Sequence, residues 1–164
     1  MSNKKNNKNI SGIPGKLIAK NKRAYRNFEL LQKFEAGIVL MGTEVKSLRK
    51  GALSFKDTYA RFISGELFLM NFHISQYENR GYSVHDPERP KKLLLNKKEL
   101  KKLFSNVMEK GLTIVPSCIY FKGQRAKVEI SLARGKKSFD KRRDIAKKDE
   151  QRRLERDYKV SSRV

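Results

Sequence analysis

GLTIVPSCIYFKGQRAKVEISL, Gly111–Leu132, is the stretch that decides the fold. In its second half Ala126, Val128, Ile130 and Leu132 alternate with Lys127, Glu129 and Ser131. Successive side chains of a strand point to opposite faces, so one face is apolar and the other polar. The first half, Leu112 to Phe121, reads as another strand, interrupted by Pro116. Gly123 supplies a turn between the two. Pro116 has no N–H for a ladder, which predicts that part of the first strand lies at a sheet edge.

Working outward, other segments read the same way. Phe28 and Leu30 alternate with polar neighbours, and Ala36 to Gly42 is a short apolar run with glycine near both ends. Glu44 to Arg49 suits one or two helical turns closed by Gly51. Thr58 to Ile63 and Glu66 to Phe72 flank Ser64-Gly65, a two-residue hairpin signal. Gln76 to Lys92 is polar, holds Gly81, Pro87 and Pro90, and reads as a long loop. Between that loop and Gly111 lies the clearest helix. Asn96 is a good N-cap with Glu99 three residues on. Leu100, Leu103, Phe104, Val107 and Met108 then fall on one face, and Gly111 closes the helix. About six short strands and one amphipathic helix predict a mainly β protein. The expected form is a small oligonucleotide-binding-like β-barrel with flanking helices.

Composition divides the chain into three. Residues 1–20 form a basic N-terminal extension, rich in Asn, Lys and Gly, that is expected to be disordered. Residues 21–133 are the barrel, and residues 134–164 are a basic tail. The tail's apolar residues, among them Phe139, Ile145, Leu154 and Tyr158, are too few to offset the ordering of some 25 residues. It is therefore expected to be disordered alone and helical on a partner, supported by the i,i+4 pairs Asp144–Lys148 and Asp149–Arg153.

The 164 residues carry a formal charge of +22. A charge of that size opposes compaction unless a polyanion offsets it, and nucleic acid is the commonest such partner. No apolar run approaches the ~20 residues needed to span a bilayer, and the N-terminus lacks the apolar segment of a secretory signal, so no membrane partner is expected. The one cysteine, Cys118, sits in an apolar run and reads as core. A cytoplasmic location follows. Catalysis finds little support. His73 reads as a packed or edge residue. His85 beside Asp86 could serve a nuclease, but adjacent residues usually point apart. No Cys/His cluster has metal-ligand spacing, and Gly12-Ile13-Pro14-Gly15 lacks the rest of a phosphate loop. The chain reads as a non-enzyme without cofactor. Tyr25, Tyr77, Tyr82 and Phe139 lie in or beside basic stretches, where stacking on bases is possible.

The order of short words along the chain adds a resemblance. Asn21-Lys22-Arg23-Ala24, Phe34-Glu35-Ala36-Gly37-Ile38 and Gly42-Thr43-Glu44-Val45-Lys46-Ser47-Leu48-Arg49 come first. Asp57-Thr58-Tyr59, Asp86-Pro87-Glu88-Arg89 and Lys92-Leu93-Leu94-Leu95 follow, then Gly111 to Pro116, Gly135-Lys136-Lys137 and Asp140-Lys141-Arg142. From Asn21 onward the chain resembles the SsrA-binding protein family, the partner of transfer-messenger RNA in bacterial ribosome rescue. The resemblance implies a barrel that grips the tRNA-like domain of that RNA, with Glu35, Leu94 and Lys127 on the contact surface and Asn21, Lys22 and Arg23 beside it. It implies a tail that enters the ribosomal decoding site and empty mRNA channel through Gly135, Lys136, Lys137, Phe139, Asp140, Lys141 and Arg142. A free monomer is expected. The chain departs from the family at Asn27-Phe28, where an acidic residue and Tyr are usual. Lys91 replaces a common Arg, and Phe139 stands where some relatives have His. The competing readings are a structural rRNA-coating protein of ribosomal type and, more distantly, the nuclease.

Overall fold

The computed structural model describes residues 15–77 and 85–161, without side chains from 157 on. In chain order the elements are β1 (Lys16–Lys20), α1 (Lys22–Asn27), β2 (Phe28–Ile38), α2 (Gly42–Arg49), β3 (Leu53–Ser54), β4 (Tyr59–Ile63) and β5 (Glu66–Met70). Then come β6 (His73–Ile74), β7 (Lys91–Leu94), α3 (Lys97–Lys110), β8 (Thr113–Lys122), β9 (Arg125–Gly135) and α4 (Ser138–Ser161). The six strands β8-β4-β5-β7-β2-β9 pair in that order, and β9 returns to β8, so the sheet closes into a barrel. Strand β1 adds to β8 alongside β4, and β3 and β6 form a separate two-stranded ladder.

The two strands read in Gly111–Leu132 are β8 and β9. Val128, Ile130 and Leu132 point into the core with Phe34 and Ala36 of β2, Leu67 and Leu69 of β5, Leu93 of β7 and Ile114 and Ile119 of β8. The β4–β5 hairpin turns at Ser64 (φ 50°) and Gly65 (φ 79°), two left-handed residues that match the twist of the strands they join. Helix α3 begins where the Asn96 backbone N–H donates to Glu99 Oε2 at 3.2 Å and ends at left-handed Gly111. It buries Leu103 and packs the Phe104 ring edge-on against Phe62, while Met108, expected on the same face, is exposed.

Several expectations are corrected. Lys16–Lys20, expected within a disordered extension, is a strand paired with Cys118–Phe121; residues 1–14 lie outside those described. The barrel also runs on to Gly135, which pairs with Phe28. The run Ala36 to Gly42 is not one strand, because β2 ends at Ile38 and Gly42 opens α2. Within the expected loop Gln76–Lys92, Lys91 already belongs to β7, and 78–84 lie outside the described residues. Pro116 does not sit on an open edge. It lies within β8 opposite Ile130, at a bulge between the positions paired with β4 and β1. In that gap Asn21 stands in for a strand. Its backbone N–H donates to Ser117 O at 2.8 Å and its Nδ2 to Pro116 O at 2.9 Å. The missing proline N–H thus faces a side chain, not a ladder. The tail carries the helix Ser138–Ser161, the helical form expected of it on a partner, and it is exposed at nearly every described side chain. Its support is local: an acidic residue, Asp140, in the first turn, where the helix dipole favours negative charge, and, among the described residues, one ion pair within the helix, Arg152 with Asp149 at 3.7 Å, where Asp149–Arg153 was expected. Among the described residues no helix is long and apolar enough to cross a membrane.

Candidate nucleic-acid interface

Strand register assembles a surface on the outside of the barrel. Gly37 of β2 pairs with Leu94 of β7 on one side and with Lys127 of β9 on the other, and Lys127 pairs in turn with Tyr120 of β8. Paired residues of adjacent strands point to the same face, so Leu94, Lys127 and Tyr120 form one row across four strands. Glu35, two residues before Gly37, occupies the next row on that face. Glycine at 37 keeps the row low, since a Cβ there would come within 3.3 Å of Leu94 Cβ.

Polar contacts fix the row. Glu35 accepts a hydrogen bond from the Tyr120 hydroxyl, and Lys122 Nζ and Lys127 Nζ lie 3.4 and 3.9 Å from its Oε1. The tyrosine hydrogen bond, followed by Lys122, holds the Glu35 carboxyl below its ordinary pKa. Burial, with the carboxylate beside it, pushes the Tyr120 phenol upward. Glu35 is therefore a fixed acceptor flanked by two cations. Next to it Leu94 is 51% exposed while Leu93 is 2% exposed, so the alternation expected within the leucine run is realised. Further along the face Lys33 pairs with Glu129 at 3.0 Å, and Lys20 and Lys33 sit 4.6 and 5.9 Å from the centre of the Tyr25 ring. An acceptor, lysines, an apolar knob and an aromatic edge can together engage phosphates, sugar hydroxyls and unstacked bases.

The structure places the other expected residues differently. Asn21 is buried: beyond its β8 contacts, its Oδ1 accepts from Ala24 N at 3.1 Å and caps α1. Lys22 and Arg23, in the first turn behind that cap, are exposed. Gly135 ends β9, eight residues beyond Lys127, which is about 26 Å of strand. The tail residues therefore start far from the Glu35 row. Lys136 N–H donates to Asn27 O at 2.9 Å, and Lys137 O accepts from Lys141 N at 3.1 Å. Phe139 is 73% exposed in the first turn of α4, with Asp140 beside it; Lys141 and Arg142 follow. Of the interleaved aromatics, Tyr77 lies under Lys50 and Lys46 at 4.6 and 5.6 Å, and Tyr82 is outside the described residues. Sequence reasoning passed over Gly37, Tyr120 and Lys122. Strand parity carried a signal for Tyr120 and Lys122, but their proximity to Glu35 needs the β2–β9–β8 register.

Other candidates are absorbed by the framework. His85 is buried, with Nδ1 2.9 Å from Thr43 Oγ1 and Nε2 3.2 Å from Ile74 O. Both ring nitrogens tie a loop to α2 and β6, which removes the nuclease base. Lys91 is fully buried and donates to Phe72 O, Pro87 O and Arg89 O at 2.7, 2.9 and 3.0 Å. It cannot meet a phosphate. Its Nζ lies 3.8 Å from buried Glu44, which also binds Arg89 at 2.5 Å and accepts from Met41 N at 2.7 Å. Burial lowers the Lys91 ammonium to about 8 and raises the Cys118 thiol to about 11.

The closed barrel, its basic outer row and the charged helix beyond it define a class: small basic oligonucleotide-binding-like barrels with a helical extension. The SmpB protein family profile matches residues 18–160, and the chain belongs to that family. It is 51% identical over 141 residues to the SsrA-binding protein of Carboxydothermus hydrogenoformans, spanning 86% of this chain and 95% of the relative. To that of Solidesulfovibrio magneticus it is 57% identical over 134 residues, spanning 82% and 87%. A solved chain described as "tmRNA-SmpB: a journey to the center of the bacterial ribosome" superposes with a TM-score of 0.63 at 50% identity, covering 77% of this chain and 87% of that one.

Proposed function

We propose that this protein is a non-enzymatic RNA-binding adaptor acting in the cytoplasm. It binds the tRNA-like domain of transfer-messenger RNA through the barrel face and carries that RNA to stalled ribosomes. There the tail occupies the decoding site and the empty mRNA channel. Membership of the SsrA-binding protein family supports this reading. The observation that carries it is the outer row Leu94–Gly37–Lys127–Tyr120 with Glu35 beneath it, set apart from an exposed cationic helix at the far end of β9. Two separated surfaces, one rigid and one projecting, suit a molecule that holds one RNA while probing another.

Lys127 and Lys122 supply phosphate contacts, Leu94 packs under an RNA loop, and Glu35 accepts from a base edge or a 2′-hydroxyl. Lys127→Ala should weaken RNA binding and flatten its log–log salt dependence by about 0.7–0.9, one phosphate contact's share. An unchanged slope and affinity in both Lys127→Ala and Glu35→Ala would remove this face from the binding surface. The decisive experiment is sequencing of RNA recovered with tagged protein from cells. One dominant small RNA is expected; recovery only on washed ribosomal subunits would instead indicate a structural ribosomal component.

A further inference from the structure

Glu129 of β9 stands directly opposite Glu35 of β2, and like charges so paired repel across a sheet. The row they share runs on through Cys118 of β8 to Lys20 of β1. Lysines hold the two carboxylates from opposite ends. Lys122 and Lys127 face Glu35, whereas Lys33 lies 3.0 Å from Glu129. Lys33 pairs with Ser131, four residues beyond Lys127 on β9, so the two lysine groups rise from points about 13 Å apart along the strand and bracket the glutamates. Tyr25 of α1 leans over the far group, with Lys20 Nζ 4.6 Å and Lys33 Nζ 5.9 Å from its ring centre. A ring face attracts cations, so the tyrosine expected to stack on a base is instead a seat for two ammonium groups. The Lys33 side chain is 52% exposed and Lys20 is exposed, so both can reach a ligand. The hydrogen bond to Glu129 raises the Lys33 ammonium above its ordinary pKa, which keeps it charged at neutral pH. Two cations converging on one ring, with a single carboxylate beside them, leave a positive charge that an anion would offset.

We propose that Lys20 and Lys33, seated on Tyr25, form a second phosphate site on the barrel face, and that Lys33 exchanges Glu129 for a phosphodiester when RNA binds. The inference rests on the reading of this face as the RNA-binding surface and adds the course of the strand across it. With one phosphate at Lys122 and Lys127 and another at Lys20 and Lys33, the backbone runs along β9 toward α1. The sugars and bases between those phosphates then pass over the two glutamates. The carboxylates differ in how firmly they are held. Glu35 is fixed by the Tyr120 hydroxyl and two lysines, whereas Glu129 has Lys33 as its one ion-pair partner among the described residues. A phosphate oxygen offers Lys33 the same charge-assisted hydrogen bond as the carboxylate it replaces.

The test is the salt dependence of the full chain's affinity for a transcript of the tRNA-like domain of transfer-messenger RNA. Lys20→Ala and Lys33→Ala should each flatten the log–log slope by about 0.7–0.9, and Lys33→Ala combined with Lys127→Ala by about twice that, because two separate phosphates are lost. Glu129→Gln should tighten binding by roughly two- to fivefold, the range of an exposed ion pair, and the gain should vanish in the Lys33→Ala background. A gain that persists there is a general charge effect and overturns the exchange. Tyr25→Leu should weaken binding by roughly two- to fivefold with the melting temperature unchanged, and Tyr25→Phe should not. Tyr25→Leu should add nothing once Lys20 and Lys33 are both alanine; a further loss would make the ring a base-stacking platform and overturn the seat. Unchanged slopes in Lys20→Ala and Lys33→Ala, beside a flattened slope in Lys127→Ala, overturn the proposal and leave the binding face standing. Unchanged slopes in all three refute that face itself. Ribosomal RNA is the other source of phosphate, so the same titration is run on small ribosomal subunits free of transfer-messenger RNA. Lysine variants that weaken only the subunit binding overturn the assignment of this site to the barrel-bound RNA.

Discussion

Glu44→Gln should be among the most damaging single substitutions in this barrel, although it removes no bulk. Glu44 is fully buried at the start of α2, where its carboxylate faces Arg89 at 2.5 Å and Lys91 at 3.8 Å. The amide keeps the shape and the acceptor for Met41 N, but it leaves two cations without their counter-ion. Breaking a buried pair from one side typically costs about 3–5 kcal/mol. Two features place this case at the lower end. Arg89 is partly exposed and can turn toward water, and the Lys91 ammonium keeps its three carbonyl acceptors. A loss of about 3 kcal/mol at about 4 °C per kcal/mol, for a barrel of this size, lowers Tm by about 12 °C. Thermal and urea unfolding of the full chain measure it. Glu66→Gln, which removes the partner of Lys92 in an exposed pair, is the control and should change stability by less than about 1 kcal/mol. Equal and small effects for the two substitutions would refute the reasoning, because burial would then count for nothing.

Leu94→Ala should leave stability within about 0.5 kcal/mol while lowering RNA affinity, whereas Leu93→Ala should cost about 2–5 kcal/mol of stability; similar melting curves would show that Leu94 is part of the core. Lys91 has its folded pKa at about 8, below its ordinary 10.5, so between those values the unfolded chain holds more protons. Its burial penalty is therefore full below about pH 8 and is relieved as pH rises, so stability relative to Lys91→Met should increase from pH 7 to 9.5; a flat difference would contradict the assignment. Truncation after Lys137 should retain the fold and the affinity for transfer-messenger RNA in gel shifts but abolish tagging, and continued tagging would show that the tail helix is dispensable. The cut belongs there rather than after Ala133, because Arg134 and Gly135 still pair with β2.

Much was legible from local pattern. The alternation in Ala126–Leu132, the Ser64-Gly65 turn, the capped helix after Asn96 and the exposure of Leu94 between inward leucines all follow from periods of two and 3.6 and from turn chemistry. These depend on neighbours in the chain, so the sequence alone decided them, as it did the charge that points to a polyanionic partner. Other features depend on pairings that no local rule contains. Strand β1 looks like a lysine-rich extension until Leu17 meets Tyr120 and Ala19 meets Ile119. Pro116 looks like an edge marker until Asn21, 95 residues away in sequence, fills its gap. Lys91 looks like a surface cation until Glu44 faces it in the interior. The Glu35 row likewise arises only when strand register brings its members together. Charge and polarity in the sequence say what a side chain costs to bury, but only the tertiary structure decides whether a partner arrives to offset that cost.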